Sequence, residues 1–407
     1  MIYHVSDFLT ALFLVFLVLG MMRLVFMYVL TFREKRAENR RNYAPIDAAT
    51  APAVSIIVPG YNEEVNIVRT ITTLKQQDYP NLHIYFVDDG SKDHTLERVH
   101  EAFDNDDTVT VLAKKNGGKA SALNYGIAAC RSEYVVCIDA DTQLKNDAVS
   151  RLMKHFIADT EKRVGAVAGN VKVGNQRNML TYWQAIEYTS SQNFDRMAYS
   201  NINAVTVVPG AIGAFRKEVI EAVGGFTTDT LAEDCDLTMS INEHGYIIEN
   251  ENYAVALTEA PETLRQFVKQ RIRWCFGVMQ AFWKHRSSLF APSKKGFGLW
   301  AMPNMLIFQY IIPTFSPLAD VLMLIGLFTG NALQIFFYYL IFLVIDASVS
   351  IMAYIFEGER LWVLLWVIPQ RFFYRWIMYY VLFKSYLKAI KGELQTWGVL
   401  KRTGHVQ

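Results

Sequence analysis

The sequence predicts an α/β domain built on a mainly parallel β-sheet and flanked by apolar helices. Three observations carry the prediction. Short β-rich runs alternate with helical periodicity across the middle of the chain, several of those runs end in acidic or glycine turns, and the apolar excess lies at the two ends. Strands alternating with helices imply βαβ units. Of 407 residues, 52% are hydrophobic, 14% aromatic and 19% charged, with 40 Lys+Arg against 39 Asp+Glu. A soluble chain carries roughly 25% charged residues, so the deficit points to membrane contact. Near-zero net charge with no long basic run excludes nucleic acid as an expected partner, and the apolar content excludes a disordered chain.

Taken in order, residues 8–30 are apolar except for Arg23, long enough for the ~20 residues that cross a bilayer core. No small-residue cleavage site follows. Instead come Arg33, Lys35, Arg36, Arg40 and Arg41, the reverse of the charge order in a secretory signal. These basic residues place the downstream chain in the cytoplasm. The expected layout begins with a membrane anchor over 1–32 and a cytosolic linker over 33–53.

A catalytic-type α/β domain is expected over 54–261, with strands at 54–59, 82–88, 108–112, 134–139 and 164–169 and helices at 65–76, 95–103 and 120–129. Cys130, Cys137, Cys235 and Cys275 form no C-x-x-C pair and read as buried thiols in a reducing compartment. Amphipathic, interfacial helices follow over 262–312, then a C-terminal membrane region over 313–390 and a tail over 391–407. Pro303, Pro313 and Pro317 suggest an interfacial segment that turns into a crossing near Pro313, and 335–356 is a second crossing candidate. Arg371, Arg375 and Lys384 interrupt 361–388. A third crossing there would put the basic tail outside, against the positive-inside rule; a segment lying in the interface would not.

In a parallel sheet, ligands sit outside the carboxyl ends of the strands, and polar motifs fall there. The first strand runs into Pro59-Gly60-Tyr61-Asn62-Glu63-Glu64 and the second into Asp88-Asp89-Gly90-Ser91-Lys92-Asp93. Either alone is ordinary turn chemistry. The fourth strand ends in Asp139-Ala140-Asp141, two carboxylates able to hold a divalent cation together with a diphosphate. Asp141 reads equally as a helix cap. Between them, Gly117-Gly118-Lys119 offers backbone N–H groups and a cation suited to phosphate, without the spacing of a P-loop. Glu233-Asp234-Cys235-Asp236 sets acidic residues at a helix start, where the dipole favours them and where one could act as a base. Gln270-Arg271-Ile272-Arg273-Trp274 lies on an amphipathic helix, with Arg suited to a diphosphate and Trp to a sugar face.

In this order and spacing, the Asp-Asp-Gly-Ser, Asp-Ala-Asp, Glu-Asp and Gln-x-x-Arg-Trp elements resemble the processive family 2 glycosyltransferases. That group includes cellulose, chitin and hyaluronan synthases and the bacterial poly-β-1,6-N-acetylglucosamine synthases. The resemblance covers 54–284, and the apolar flanks match its layout. It implies a GT-A nucleotide-sugar fold and an inverting transferase that polymerises a UDP-activated sugar, UDP-N-acetylglucosamine first, at the plasma membrane. The chain would be multi-pass, with the catalytic domain in the cytoplasm. Hyaluronan, chitin or cellulose-type synthesis is the alternative, and a non-processive polyprenyl-phosphate transferase a further one.

Carried over position by position, the resemblance places Pro59, Tyr61, Glu63 and Asp89 around the nucleotide and assigns Asp88 to the fold. Asp139 and Asp141 would hold Mg²⁺ or Mn²⁺, Asp141 more directly, with Lys119 and Arg273 near the diphosphate. Asp234 would be the catalytic base, supported by Glu233; Gln270 and Trp274 would meet the acceptor; residues 210–216 would shape the acceptor side. The expected partners are a UDP-sugar, the growing polysaccharide, the lipid bilayer, and a small membrane protein or a second copy of the chain.

Overall fold

The computed structural model describes residues 2–41, 43–328 and 332–391. Helix α1 (Ile2–Glu38) does not end where the apolar span ends. At 1.5 Å rise per residue its 37 residues reach about 55 Å, well beyond a bilayer core of about 30 Å. Its later turns have a second use: Met27, Leu30, Thr31 and Glu34, spaced i, i+3, i+4 and i+7, are buried against the α/β domain. Asn201 Nδ2 donates to the Leu30 carbonyl at 3.0 Å and fastens that seam. Among the described residues, Leu14–Glu38 is the one stretch long and apolar enough to cross a membrane.

The domain is one eight-stranded sheet: β1 (Val54–Gly60), β2 (Leu82–Asp88), β3 (Val109–Ala113), β4 (Tyr134–Cys137), β5 (Gln143–Leu144), β6 (Val164–Val173), β7 (Gly213–Arg216) and β8 (Ile247–Thr258), in the order β3-β2-β1-β4-β7-β6-β8-β5. Helices α2 (Ile67–Lys75), α3 (Thr95–Phe103), α4 (Lys119–Ala129) and α5 (Ala148–Ala158) connect the first strands. Both faces are covered: Ile56 and Val58 enter one core and Ile57 the other. A strand buried on both sides reads as a continuous apolar run, which is why the first strands are legible in the sequence.

The expected strands and helices of this half are all present, with ends within one or two residues except for β6, which runs four residues beyond the expected 169. The sheet itself is mixed. β1 pairs in parallel with β2 and β4, β2 with β3, and β6 with β8. β7 runs antiparallel between β4 and β6, and β5 is antiparallel to β8. The strand that enters against the grain, β7, starts beside the carboxyl end of β4, where Gly213 pairs with Cys137, so the residues just before it lie at that end of the sheet.

Helix α6 (Met179–Glu187) passes through a π-helical turn, Tyr188–Asn193, into α7 (Phe194–Ser200); α8 (Lys217–Ala222) follows β7 and α9 (Glu233–Glu243) precedes β8. Helix α10 (Leu264–Lys284) matches the expected amphipathic helix and is capped by Thr263, whose Oγ1 accepts from Gln266 N. The chain then stays helical from Phe297 to Phe328. Two π-helical turns flank α11 (Met302–Asn304) and lead into α12 (Ile312–Phe328). Proline removes one backbone donor and crowds the preceding turn, and the wider π turns absorb this without a break at Pro303 or Pro313. Helix α13 (Ala332–Glu357) and α14 (Val367–Lys391) complete the described chain. On α14, Ile368, Phe372, Phe373, Trp376, Tyr380, Phe383 and Leu387 are exposed, whereas Tyr374, Tyr379 and Ser385 are buried. Beyond Lys391 the expected tail lies outside the described residues.

Candidate active site

The loops after β1 and β2 interlock. Asn62 N donates to Ser91 Oγ at 3.0 Å, Lys92 N to Asn62 Oδ1 at 2.8 Å, and Glu63 N to Thr95 Oγ1 at 2.8 Å. This fixes Pro59, Tyr61 and Glu63 along the wall of a cavity of about 620 Å³. Asp88 closes its own turn, its Oδ2 accepting from Gly90 and Ser91 at 3.1 Å. Asp89 does not line the cavity. Its carboxylate accepts from Lys114 Nζ at 2.6 Å, Gly118 N at 2.7 Å and Gly117 N at 3.0 Å. The glycine N–H groups that the sequence suggested for phosphate are therefore spent on Asp89, since a buried carboxylate requires such donors.

At the end of β4, Thr70 Oγ1 donates to the Ala140 carbonyl at 2.8 Å, and Asp139 and Asp141 on either side both line the cavity. Among the described residues no group of three or more His, Cys, Asp or Glu could hold a metal alone. Two carboxylates at a strand end are nonetheless a hard-oxygen set that fits Mg²⁺ or Mn²⁺ when a diphosphate supplies the other ligands. Asp139 is placed to take a cation: Lys119 Nζ lies 2.6 Å from its Oδ1 and 3.2 Å from Glu233 Oε1. Burial opposes the charge on Lys119, but Asp139, Glu233 and Asp234 outweigh it and raise its pKa.

Lys119 thus bridges the strand-end pair and the acidic start of α9. Asp234 Oδ1 accepts from Cys235 N at 2.8 Å and Oδ2 from Gly210 N at 3.2 Å. Burial, followed by the neighbouring Glu233 charge, pushes the Asp234 carboxyl up from 3.8 to about 6, against the pull of Lys119 and the two N–H groups. A carboxylate so raised is a better proton acceptor near neutral pH. Gly210 leaves room for this arrangement, because a Cβ there would lie 2.5 Å from Lys119 Nζ and the amine would have to move.

Helix α10 closes the cavity. Gln270, Arg273 and Trp274, spaced i, i+3 and i+4, share one face and all line it. Arg271, to which the sequence reading gave no role, supports them. It is buried, pairs with Glu187 Oε1 at 2.9 Å, and holds its guanidinium 4.6 Å from the Trp274 ring centroid. Tyr374 of α14 donates to the other Glu187 oxygen, so α6, α10 and α14 meet at one carboxylate.

A second unforeseen cluster joins α10 to α9. Gly277 presses on the start of α9, where an added Cβ would lie 2.7 Å from Ala232 N, and Leu231 N donates to Gln280 Oε1 at 3.0 Å. His285 places Nε2 2.9 Å from Asp236 Oδ1 and Nδ1 2.8 Å from Glu243 Oε2. With a carboxylate on each nitrogen, both must carry protons. Burial opposes that charge, but the two hydrogen bonds raise the imidazole to about 9. No short motif announces this pairing, because its members are 42 and 49 residues apart.

Residues 55–224 match the family description "Glycosyl transferase family 2". The chain is 31% identical over 256 residues to a poly-β-1,6-N-acetyl-D-glucosamine synthase of Staphylococcus epidermidis, covering 62% of each chain. It is 33% identical over 224 residues to the synthase of Staphylococcus aureus strain COL, covering 55% of this chain and 54% of that one. The matches thus span about three-fifths of the curated relatives' length. A mannosyltransferase from Pyrobaculum calidifontis, solved with GDP-Man and Mn²⁺, superposes with a TM-score of 0.58 and 23% identity, covering 86% of this chain and 95% of that one. The mixed sheet with motifs at its carboxyl ends agrees with these findings: residues 55–224 match glycosyl transferase family 2, and the fold that holds them is of the GT-A type.

Proposed function

We propose that the chain is a processive, inverting glycosyltransferase that polymerises UDP-N-acetylglucosamine at the cytoplasmic face of the plasma membrane. The observation that carries this reading is a single cavity in which the strand-end pair Asp139 and Asp141, the raised carboxyl of Asp234 and the indole of Trp274 all stand. It has room for a donor at one side and an acceptor sugar at the other. The similarity to the staphylococcal synthases supports the choice of sugar.

In this reading Asp234 takes the proton of the acceptor hydroxyl as that oxygen bonds to C1 of the sugar. The C1–O bond to UDP breaks with its electron pair going to the β-phosphate oxygen. Lys119 and Arg273 face the departing diphosphate, and preorganised cations of this kind are a large part of transition-state stabilisation. Asp139 and Asp141 would hold the divalent ion, which when bound neutralises diphosphate charge. Tyr61 and Glu63 line the nucleotide side, and Asp89 acts there by holding the 114–118 loop. Gln270 and Trp274 receive the acceptor. Helices α1, α12, α13 and α14 anchor the domain as a multi-pass protein, and the apolar outward face of α14 suits a lipid surface.

The test is incubation of membranes holding the full chain with a panel of UDP-sugars and GDP-mannose, with and without Mg²⁺ or Mn²⁺, followed by linkage analysis. UDP release with a polymer of N-acetylglucosamine is expected. A product carrying one sugar on a lipid would remove processivity, and release from GDP-mannose alone would remove the donor assignment.

A further inference from the structure

Arg23 is the one charged residue of the apolar run 8–30. A charged group inside a membrane-spanning helix is costly, and those that persist are paired and mark functional sites. Its partners here are specific. Nη2 donates to Asp195 Oδ2 at 2.8 Å and to Tyr199 Oη at 3.1 Å, and Nε donates to Asn304 Oδ1 at 3.0 Å. The guanidinium lies 5.1 Å from the Phe308 ring centroid. Asp195 and Tyr199 come from one turn of α7 and Asn304 from α11, and all three line the cavity that holds Asp234 and Trp274.

One planar fork therefore sets three polar wall groups from two separate helices, which a lysine's single point charge could not do. The bonds also decide what those groups can offer. With Oδ1 engaged, Asn304 presents its NH₂ as a donor; with Oδ2 engaged, Asp195 keeps Oδ1 as an acceptor. A donor and an acceptor set by one guanidinium, in a cavity also lined by a flat indole, match the vicinal hydroxyls and apolar face of a pyranose. Arg23, the cation at the centre of this group, is already paired with Asp195, so the group offers polar edges and not a free charge for a phosphate.

We propose that Asp195, Tyr199 and Asn304 form a saccharide subsite for a neutral unit of the acceptor chain, and that Arg23 is its positioning residue. The proposal rests on the transferase reading for the identity of the saccharide, but its test does not require turnover. Full-length protein in detergent is titrated with a β-1,6-linked N-acetylglucosamine tetrasaccharide, and separately with UDP, by intrinsic fluorescence. A hydrogen bond to a charged group is worth ~1.5–3 kcal/mol, so Arg23→Ala should weaken tetrasaccharide binding by about 10-fold or more while UDP binding changes less than about twofold. Arg23→Lys should recover part of the loss, because it restores charge on Asp195 but not the bond to Asn304.

Asn304→Ala removes one wall group and leaves the ion pair in place, so it tests the subsite even where Arg23→Ala does not fold; the same selective loss is expected. Unchanged tetrasaccharide affinity in folded Arg23→Ala or Asn304→Ala, equal losses for UDP and tetrasaccharide, or no tetrasaccharide binding by the unaltered protein would each overturn the proposal. UDP-sugar turnover is measured in parallel: its absence alongside intact, Arg23-dependent saccharide binding would overturn the transferase reading alone.

Discussion

Replacing Asp234 by Asn should stop sugar transfer and stabilise the fold. The substitution keeps the side chain's shape but removes its charge and its ability to accept a proton. Loss of a general base costs ~10² to 10⁴ in rate. The stability term has the opposite sign. Because the folded carboxyl is raised from 3.8 to about 6, the native state binds more protons than the unfolded chain between those values. Stability from this group is therefore lost as pH rises through that window. At about 1.4 kcal/mol per tenfold in the ionisation constant, the ionised carboxylate costs about 3 kcal/mol at neutral pH. Against this, an amide can accept from only one of Cys235 N and Gly210 N, which forfeits about 1 kcal/mol. The net gain is about 2 kcal/mol. UDP-sugar turnover and thermal unfolding of purified Asp234→Asn, each compared with the unaltered protein, test both halves. In the unaltered enzyme, kcat/KM should also fall about tenfold per pH unit below about 6. Retained transfer would remove Asp234 from the base role. A variant less stable than the parent at neutral pH would show that the carboxyl is not raised, and the reasoning about its environment would fail.

Asp141→Ala should weaken divalent-metal dependence and UDP affinity together, read by metal titration of UDP binding; an unaltered titration would remove it from the metal pair. Gly210→Ala should displace Lys119 from Asp139 and Glu233, since the added methyl meets the Lys119 terminus. UDP binding should then weaken several-fold and the melting temperature should fall, because those carboxylates lose their buried cation. His285→Gln should lower the melting temperature at pH 7 and flatten its decline at high pH. In the parent, the folded imidazole is raised above its unfolded value, so its contribution is full below about 6.5 and lost as pH rises through about 9; a parent whose stability is flat from pH 7 to 10 would contradict this.

Strands β1, β2 and β4 could be read directly because each is largely apolar and stops at a turn: Pro59-Gly60, Asp88-Asp89-Gly90, and Asp139-Ala140-Asp141. Strand β8 could not, since Ile247–Thr258 carries Glu249, Asn250, Glu251 and Asn252. Asn250, Glu251 and Asn252 are buried, and distant partners meet them there, His155 on Glu251 at 3.0 Å and Asn170 on the Asn252 carbonyl at 2.7 Å. Strand β7 is four residues long and gains its place by pairing on both edges. The motif residues Asp139, Asp141, Asp234, Gln270, Arg273 and Trp274 do converge on one cavity. Their supports do not announce themselves: Arg23 finds Asp195 across 172 residues, and Arg271 finds Glu187 across 84. Spacing along a helix reports which side chains share a face, but not which remote charge will neutralise them.

Helix α1 has a consequence for how the protein is made. It precedes the α/β domain in the chain, yet Met27 and Leu30 complete a core whose other walls are translated later. Until those arrive, its later turns keep their apolar stripe uncovered. The α/β domain must therefore assemble onto a helix made before it. An excised domain beginning at β1 would lack two core side chains, each worth ~1.5–3 kcal/mol, and would carry an open apolar groove that favours aggregation. Helix α1 is in this sense a part of the domain's folding core and not only an apolar segment ahead of it.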